Sequence, residues 1–301
     1  MNVFILGGTG AVGWHAVRAL RQHGHTVTAL ARSPEKAAKL TALGVLPVSL
    51  SMFDRAAMTA AFQGYDAIIN LATSIPPTSK FMQPDAWSAN TRIRTEGSAA
   101  VVDAALAAGV PRVVQESVCM IYPDAGAAWV SEEAIPDRFP MALPNLAAEA
   151  NAQRFTSQGR IGVILRFGWF YGPGATHSEE FLRLARWGVC IQMGAPNGYV
   201  SSIHMADAGT ATEAALRAPA GIYNIVDNEP LMKKHFAAAI AAAAGRSWYL
   251  RLPGRTALLL GDRSTSLTRS LRVSNQRFRT ATGWEPQFPS AREGWAAMTI
   301  T

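Results

Sequence analysis

The first thirteen residues constrain this chain more than any other stretch. Val3-Phe4-Ile5-Leu6 is an apolar run, Gly7-Gly8-Thr9-Gly10-Ala11-Val12-Gly13 follows it directly, and an apolar-periodic segment continues from Trp14 to Leu20. That order reads as buried strand, glycine loop and helix, the context in which a glycine fingerprint holds a dinucleotide. One glycine permits the tight turn, one lets the backbone approach a pyrophosphate, and one lets helix and strand pack closely. The diphosphate would meet the free N–H groups and positive dipole end of a helix starting near Ala11. Gly7, Thr9, Gly10, Ala11, Val12 and Gly13 are therefore the loop's candidate cofactor-binding residues.

The alternation continues downstream. Strands are expected at Thr26–Ala31, Val45–Leu50, Tyr65–Ala72 and Arg112–Glu116, with helices at Pro34–Leu43, Asp54–Phe62 and a long one over Pro84–Ala108. This spacing is that of βαβ units, so an α/β fold with a Rossmann-type doubly wound parallel sheet is expected. At 301 residues the chain can build that unit and a smaller lobe as well. In a dinucleotide fold the end of the second strand usually offers an acid to the adenosine ribose. Here the first acid of the whole chain is Glu35, and Arg32 stands at the ribose position. A guanidinium pairs with a 2′-phosphate and offers little to a bare hydroxyl, so NADP(H) is favoured over NAD(H).

Beyond these elements the chain carries DAIINLAT, GSAAVVDAALAAGVPRVVQESVCMIY, LAAEA, GVILRFGWFYGPG, SSIHMADAG, YNIVDNEP and RVSNQRFRTATGWEP in order. With the glycine loop, these blocks resemble the extended and atypical short-chain dehydrogenase/reductases of the NAD-dependent epimerase/dehydratase type. The resemblance implies a cofactor-binding Rossmann domain over residues 1–173, with returning segments near 200–228. It also implies a C-terminal α/β substrate lobe built from 174–199 and 229–301. Leu71, Ala72, Thr73 and Ser117 would then flank the nicotinamide.

In that family a Ser or Thr, a Tyr and a Lys carry the proton chemistry, the phenol acting as a tuned general acid or base. Carried over residue by residue, the hydroxyl position falls on Val118, the Tyr on Met141 and the Lys on Asn145. No Tyr-x-x-x-Lys occurs anywhere in the chain, and no lysine lies between Lys80 and Lys233. Tyr122 and Asn145 are the candidate substitutes at the catalytic site. Tyr122 equally reads as a packing residue, and Asn145 can hydrogen-bond a ribose or carbonyl but cannot move a proton at neutral pH. Cys119, His177 and His204 are further candidates, each with a plain structural reading beside it.

Nine arginines against two acids fall between Arg246 and Arg292, an excess equal to the net charge of +7. The cluster reads either as a site for an anionic small molecule or as a solvated basic face. It lacks the aromatic interleaving of a nucleic-acid module. Cys119 and Cys190 suggest neither a disulfide framework nor a metal site. With no leader pattern and no apolar run of membrane length, a cytoplasmic protein is expected.

The expected activity is that of an oxidoreductase on a small carbonyl or sugar-like substrate. Its proton would come from water or a non-standard residue. Two other readings stay open: an NADP(H)-binding sensor or interaction protein with little catalysis, and a redox-neutral, epimerase-like enzyme. The resemblance also suggests a homodimer through the helices Pro84–Ala108 and Pro144–Ser157, which read equally well as helices packed on a sheet.

Overall fold

A computed structural model describes residues 1–190, 192, 194–251 and 265–298. The leading strands are β1 (Asn2–Leu6), β2 (Thr26–Leu30), β3 (Leu46–Val48), β4 (Ala67–Asn70) and β5 (Arg112–Val118). With the strands Ile161–Phe167 and Gly221–Ile225 they form one seven-stranded sheet. Its order is Gly221–Ile225, Ile161–Phe167, β5, β4, β1, β2, β3, and every pairing is parallel.

The apolar run of β1 is explained by burial on both faces. Val3 and Ile5 join a core built with α1 (Ala11–Gln22) and the helix Met205–Ala214. Phe4 and Leu6 join the opposite core, under the helices Arg55–Ala61 and Ser98–Ala107. Each such side chain, fully buried, is worth about 1.5–3 kcal/mol. Gly209 sets how closely α1 and Met205–Ala214 approach, because a Cβ there would stand 2.6 Å from the His15 carbonyl carbon.

The strand order reverses beside β1: β2 and β3 lie on one side, β4 and β5 on the other. The carboxyl ends of β1 and β4 therefore frame the crevice where open α/β sheets bind ligands. The two ends touch. Gly7 adopts φ +79°, and a Cβ there would fall 2.5 Å from the Leu71 carbonyl.

The expected single helix over Pro84–Ala108 is instead four pieces. A 3₁₀ turn (Pro84–Trp87), a short α segment (Ser88–Arg92), a π turn (Ile93–Gly97) and an α-helix (Ser98–Ala107) follow one another. The π turn accompanies the burial of Arg94, whose guanidinium meets Glu116 on β5 at 2.7 Å. The same turn brings Gly97 so close to Met52 that a Cβ would lie 2.6 Å from its methyl.

The remaining chain builds a further apolar core around Tyr171, Phe236, Ile240 and Trp295. The helices Thr176–Arg186, Lys233–Ala243 and Ala291–Ala297 enclose it. The short strand Arg272–Val273 reaches back to pair with Trp129–Val130 beyond β5.

Candidate functional site at the carboxyl edge of the sheet

The glycine loop is shaped by contacts that no side chain would tolerate. Gly10 donates its N–H to the Gly7 carbonyl at 2.9 Å, closing the turn. A Cβ on Gly13 would lie 1.9 Å from that same carbonyl oxygen. Helix α1 begins with Gly10 as N-cap, no side-chain cap and no acid in its first turn. Its first N–H groups and positive dipole end are thus left to an external anion. Gly7, Thr9, Gly10, Ala11, Val12 and Gly13 come together in this cradle, and a dinucleotide diphosphate fits it.

Arg32 is exposed just past β2. Ser33 caps the next helix, Pro34–Ala42, by accepting from the Lys36 N–H at 3.3 Å. A depression of about 390 Å³ beside the loop is lined by Thr9, Trp14, Glu35, Lys36 and Lys39. The Glu35 carboxylate is held by Lys39 at 2.6 Å, and that bond keeps its pKa below the usual range. Among the described residues the acid lining the depression, Glu35, is therefore already paired, while Lys36 adds positive charge to the lining and Arg32 stands exposed on the segment before Pro34.

At the other end of the cleft, Leu71, Ala72 and Thr73 follow β4. Asn70 organises this turn: its Oδ1 accepts from the Ala72 N–H at 3.2 Å, and its Nδ2 donates to Gln115 at 2.9 Å. Ser117, at the end of β5, is fully buried and donates its hydroxyl to Glu149 at 2.6 Å. Asn145 is 7% exposed on the helix Leu143–Ser157, its Nδ2 donating to the Met141 carbonyl at 2.9 Å. Its Oδ1 is buried with no partner among the described residues. An orphaned acceptor of this kind calls for a donor from outside, and a ribose hydroxyl fits. Val118, Met141 and Leu146 pack together around Ile121, Phe139 and Ala142 in a single apolar cluster.

Tyr122 lies beneath the cleft and is fully buried. Its hydroxyl donates to Asn224 Oδ1 at 2.9 Å and accepts from Arg166 Nη1 at 2.8 Å. Arg166 also grips Glu149 with two bonds, Nε to Oε1 at 2.8 Å and Nη2 to Oε2 at 2.6 Å. Ser117, Glu149, Arg166, Tyr122 and Asn224 thus form one buried chain of hydrogen bonds linking β5, the helix Leu143–Ser157 and the strands Ile161–Phe167 and Gly221–Ile225. Burial pushes the Tyr122 phenol up to about 12 and the Cys119 thiol up to about 12.

The histidines are likewise engaged. His177 Nε2 faces the Phe170 carbonyl at 2.6 Å, which assigns the proton to that nitrogen, and burial lowers its pKa. His204 Nδ1 accepts from the Ala206 N–H at 3.2 Å and caps the helix Met205–Ala214. Burial, with His15 nearby, pushes His204 down to about 4.

Six arginines of the C-terminal cluster, those with described side chains, meet separate partners. Arg279 pairs with Glu285, Arg292 with Glu229, and Arg269 with Asp137 and the Tyr122 carbonyl. Arg272 stacks on Trp129 at 4.2 Å, Arg277 lies over Tyr223 at 5.7 Å, and Arg246 donates to the Arg186 carbonyl. Arg255, Arg263 and the side chain of Arg251 lie outside what is described. No described helix is long and apolar enough to cross a membrane. Among the described residues no group of three or more His, Cys, Asp or Glu could hold a metal.

Residue-by-residue reading of the sequence did not find the buried ion pairs Arg94–Glu116 and Arg166–Glu149. The available signal was charge inside otherwise apolar strands, at Glu116 in VVQESV and Arg166 in VILRF.

Comparison with known proteins agrees with this geometry. The model of the NAD dependent epimerase/dehydratase family matches residues 3–225. A 3-diazoavenalumate denitrifying reductase from a Streptomyces species is 31% identical, across 98% of this chain and 99% of that protein. The human epimerase family protein SDR39U1, solved with NADPH, superposes with a TM-score of 0.82 at 22% identity, covering 100% of both chains. DesIV, a dTDP-glucose 4,6-dehydratase from Streptomyces venezuelae solved with NAD, gives a TM-score of 0.81 at 19% identity, covering 100% of this chain and 96% of its own.

Proposed function

Because the chain belongs to the NAD dependent epimerase/dehydratase family, we propose that it is an NADP(H)-dependent reductase of a small substrate. The supporting observation is the pairing of an intact diphosphate cradle with the cationic residues Arg32 and Lys36 just past β2, where Glu35 is bonded to Lys39. NADPH, when bound, supplies a hydride. The first turn of α1 would hold the diphosphate, and Arg32, with Lys36 near it, the 2′-phosphate. Asn145 Oδ1 would accept from the nicotinamide ribose, while the turn Leu71–Thr73 supports the ring. Tyr122 serves in this reading as a strut that orients Arg166, since its phenol is buried and doubly bonded. The Streptomyces relative is named for a reduction that removes nitrogen from a diazo compound, which makes a diazo-bearing molecule the first substrate to test here.

A second reading, an NADP(H)-binding protein with little turnover, draws on the apolar Val118 and Met141 at the family's proton-transfer positions. NADPH deuterated at the transferable position separates the two when incubated with the protein and a metabolite extract. Deuterium found in a metabolite supports the reductase, and tight NADPH binding without label supports the second reading.

Arg32→Ala is expected to weaken NADPH binding by about 1.5–3 kcal/mol, the loss of a charge-assisted bond, or roughly 10- to 150-fold. NADH binding should be nearly unchanged. Titration with both cofactors checks this, and equal losses would remove Arg32 from the 2′-phosphate.

A further inference from the structure

We infer that Arg272, held between Trp129 and Tyr199, is a binding site for the carboxylate of a small ligand with a flat apolar body. The inference stands apart from the reductase reading, since it concerns binding alone and involves none of the residues assigned to the cofactor.

The path of the chain builds the site. The strand Arg272–Val273 has neighbours on both of its edges. On one edge Arg272 pairs in register with Trp129, and the Ser274 N–H donates to the Val130 carbonyl at 2.9 Å. Along the other edge the Leu271 N–H donates to the Tyr199 carbonyl at 3.1 Å, and the Val273 N–H to Ser201 Oγ at 2.8 Å. Side chains alternate along a strand. Leu271 and Val273 accordingly enter the apolar cluster that holds Tyr122, Val130 and Val226. Arg272 turns to the opposite face, with one aromatic ring from each flanking segment. Its Cζ lies 4.2 Å from the Trp129 ring centre and 5.0 Å from that of Tyr199. Two cation–π contacts thus fix the guanidinium in advance of any ligand.

This packing leaves the guanidinium fork unsatisfied. Nε is buried without a hydrogen-bond partner, and neither Nη atom has one among the described residues. Asp124 and Glu132, on either side of Trp129 in the chain, are engaged with backbone N–H groups. Asp124 accepts from Gly126 at 3.0 Å and from Ser270 at 2.8 Å, and Glu132 accepts from Asn224 at 2.7 Å. A methionine or leucine would fill the space between the two rings without stranding a donor, and a stranded donor is costly. A guanidinium there presents its paired Nη groups, which match the two oxygens of a carboxylate.

The flanking rings also select among oxyanions. A carboxylate is planar and can lie in the plane of the fork. The remaining oxygens of a phosphonate or phosphate would press toward the negative faces of the rings. The Trp129 side chain is half exposed, so apolar surface adjoins the fork for the body of the ligand.

Ligand-observed NMR titration of the whole chain with benzoate, benzamide and phenylphosphonate tests the site. Benzoate is expected to bind saturably, at least about 10-fold more tightly than benzamide, which has the same ring and no charge. Phenylphosphonate should bind more weakly than benzoate. Arg272→Met keeps a side chain between the rings and should weaken benzoate binding at least about 10-fold. Arg272→Lys keeps the charge without the fork and should weaken it as well. Circular dichroism checks that each variant is folded, and the lysine variant carries the comparison should the methionine variant not fold. Absence of benzoate binding, equal binding of benzamide, a preference for phenylphosphonate, or wild-type affinity in either folded variant would each overturn the inference.

Discussion

Gly13→Ala is expected to abolish measurable NADPH binding while leaving a folded protein. A methyl group at Gly13 would sit 1.9 Å from the Gly7 carbonyl oxygen, so either the loop or the start of α1 must retreat. Two or more N–H groups would then miss the diphosphate. Each hydrogen bond to a charged partner is worth about 1.5–3 kcal/mol, so the loss should exceed roughly 100-fold in affinity. Two companions grade the effect. Gly10→Ala meets the same oxygen at 3.2 Å, where a shift of a few tenths of an ångström suffices, and should bind NADPH more weakly than wild type but far better than Gly13→Ala. Gly24→Ala carries φ +77° with open space around it. It should lose about 1 kcal/mol of stability and no cofactor affinity. Fluorescence titration with NADPH, alongside thermal unfolding, measures all three. Wild-type affinity in Gly13→Ala would show that the diphosphate is held elsewhere.

The glycine loop was legible because its causes are local. Turn, close approach and dipole are all dictated within residues 3–20, and β1 and α1 follow from that stretch. The first five strands and the helices between the first four of them were readable for a related reason, since apolar runs buried on both sheet faces announce themselves. Their ends moved by one or two residues, as with the third strand, expected over Val45–Leu50 and found as Leu46–Val48. What could not be read depends on partners far away in the chain. The π turn at Ile93–Gly97 accompanies a bond from Arg94 to Glu116, which a helical period cannot encode. Sequence counts the charges of the arginine cluster but does not pair them. Glu229 and Asp137, which hold Arg292 and Arg269, lie 63 and 132 residues away. Around the cleft, the lack of any Tyr-x-x-x-Lys sequence is legible in the chain itself, whereas the packing of Val118 and Met141 on the cluster of Ile121, Phe139 and Ala142 needs three dimensions.

The buried chain beneath that cleft makes the other large prediction. Arg166→Met should destabilise the protein by about 3–5 kcal/mol, because it leaves the Glu149 carboxylate buried with, among the described residues, the Ser117 hydroxyl as its remaining side-chain donor. At roughly 2–4 °C per kcal/mol, the melting midpoint should fall by roughly 10 °C. Tyr122 would lose one of its two hydroxyl bonds as well, keeping only Asn224. Most of this cost is the stranded charge rather than the worth of the bond. Adding Glu149→Gln removes the charge and keeps an acceptor for Ser117, so the double variant should be more stable than Arg166→Met alone. Chemical denaturation of the two single variants and the double variant gives the coupling. A loss under about 1 kcal/mol for Arg166→Met, or simple additivity of the two changes, would mean that the ion pair is not the strut described here. The same comparison bears on the cleft. Glu149 lies one helical turn from Asn145 on the helix Leu143–Ser157, and Ser117 adjoins Val118. Loosening the pair should therefore also weaken NADPH binding, by less than Gly13→Ala does, through the ribose contact proposed for Asn145.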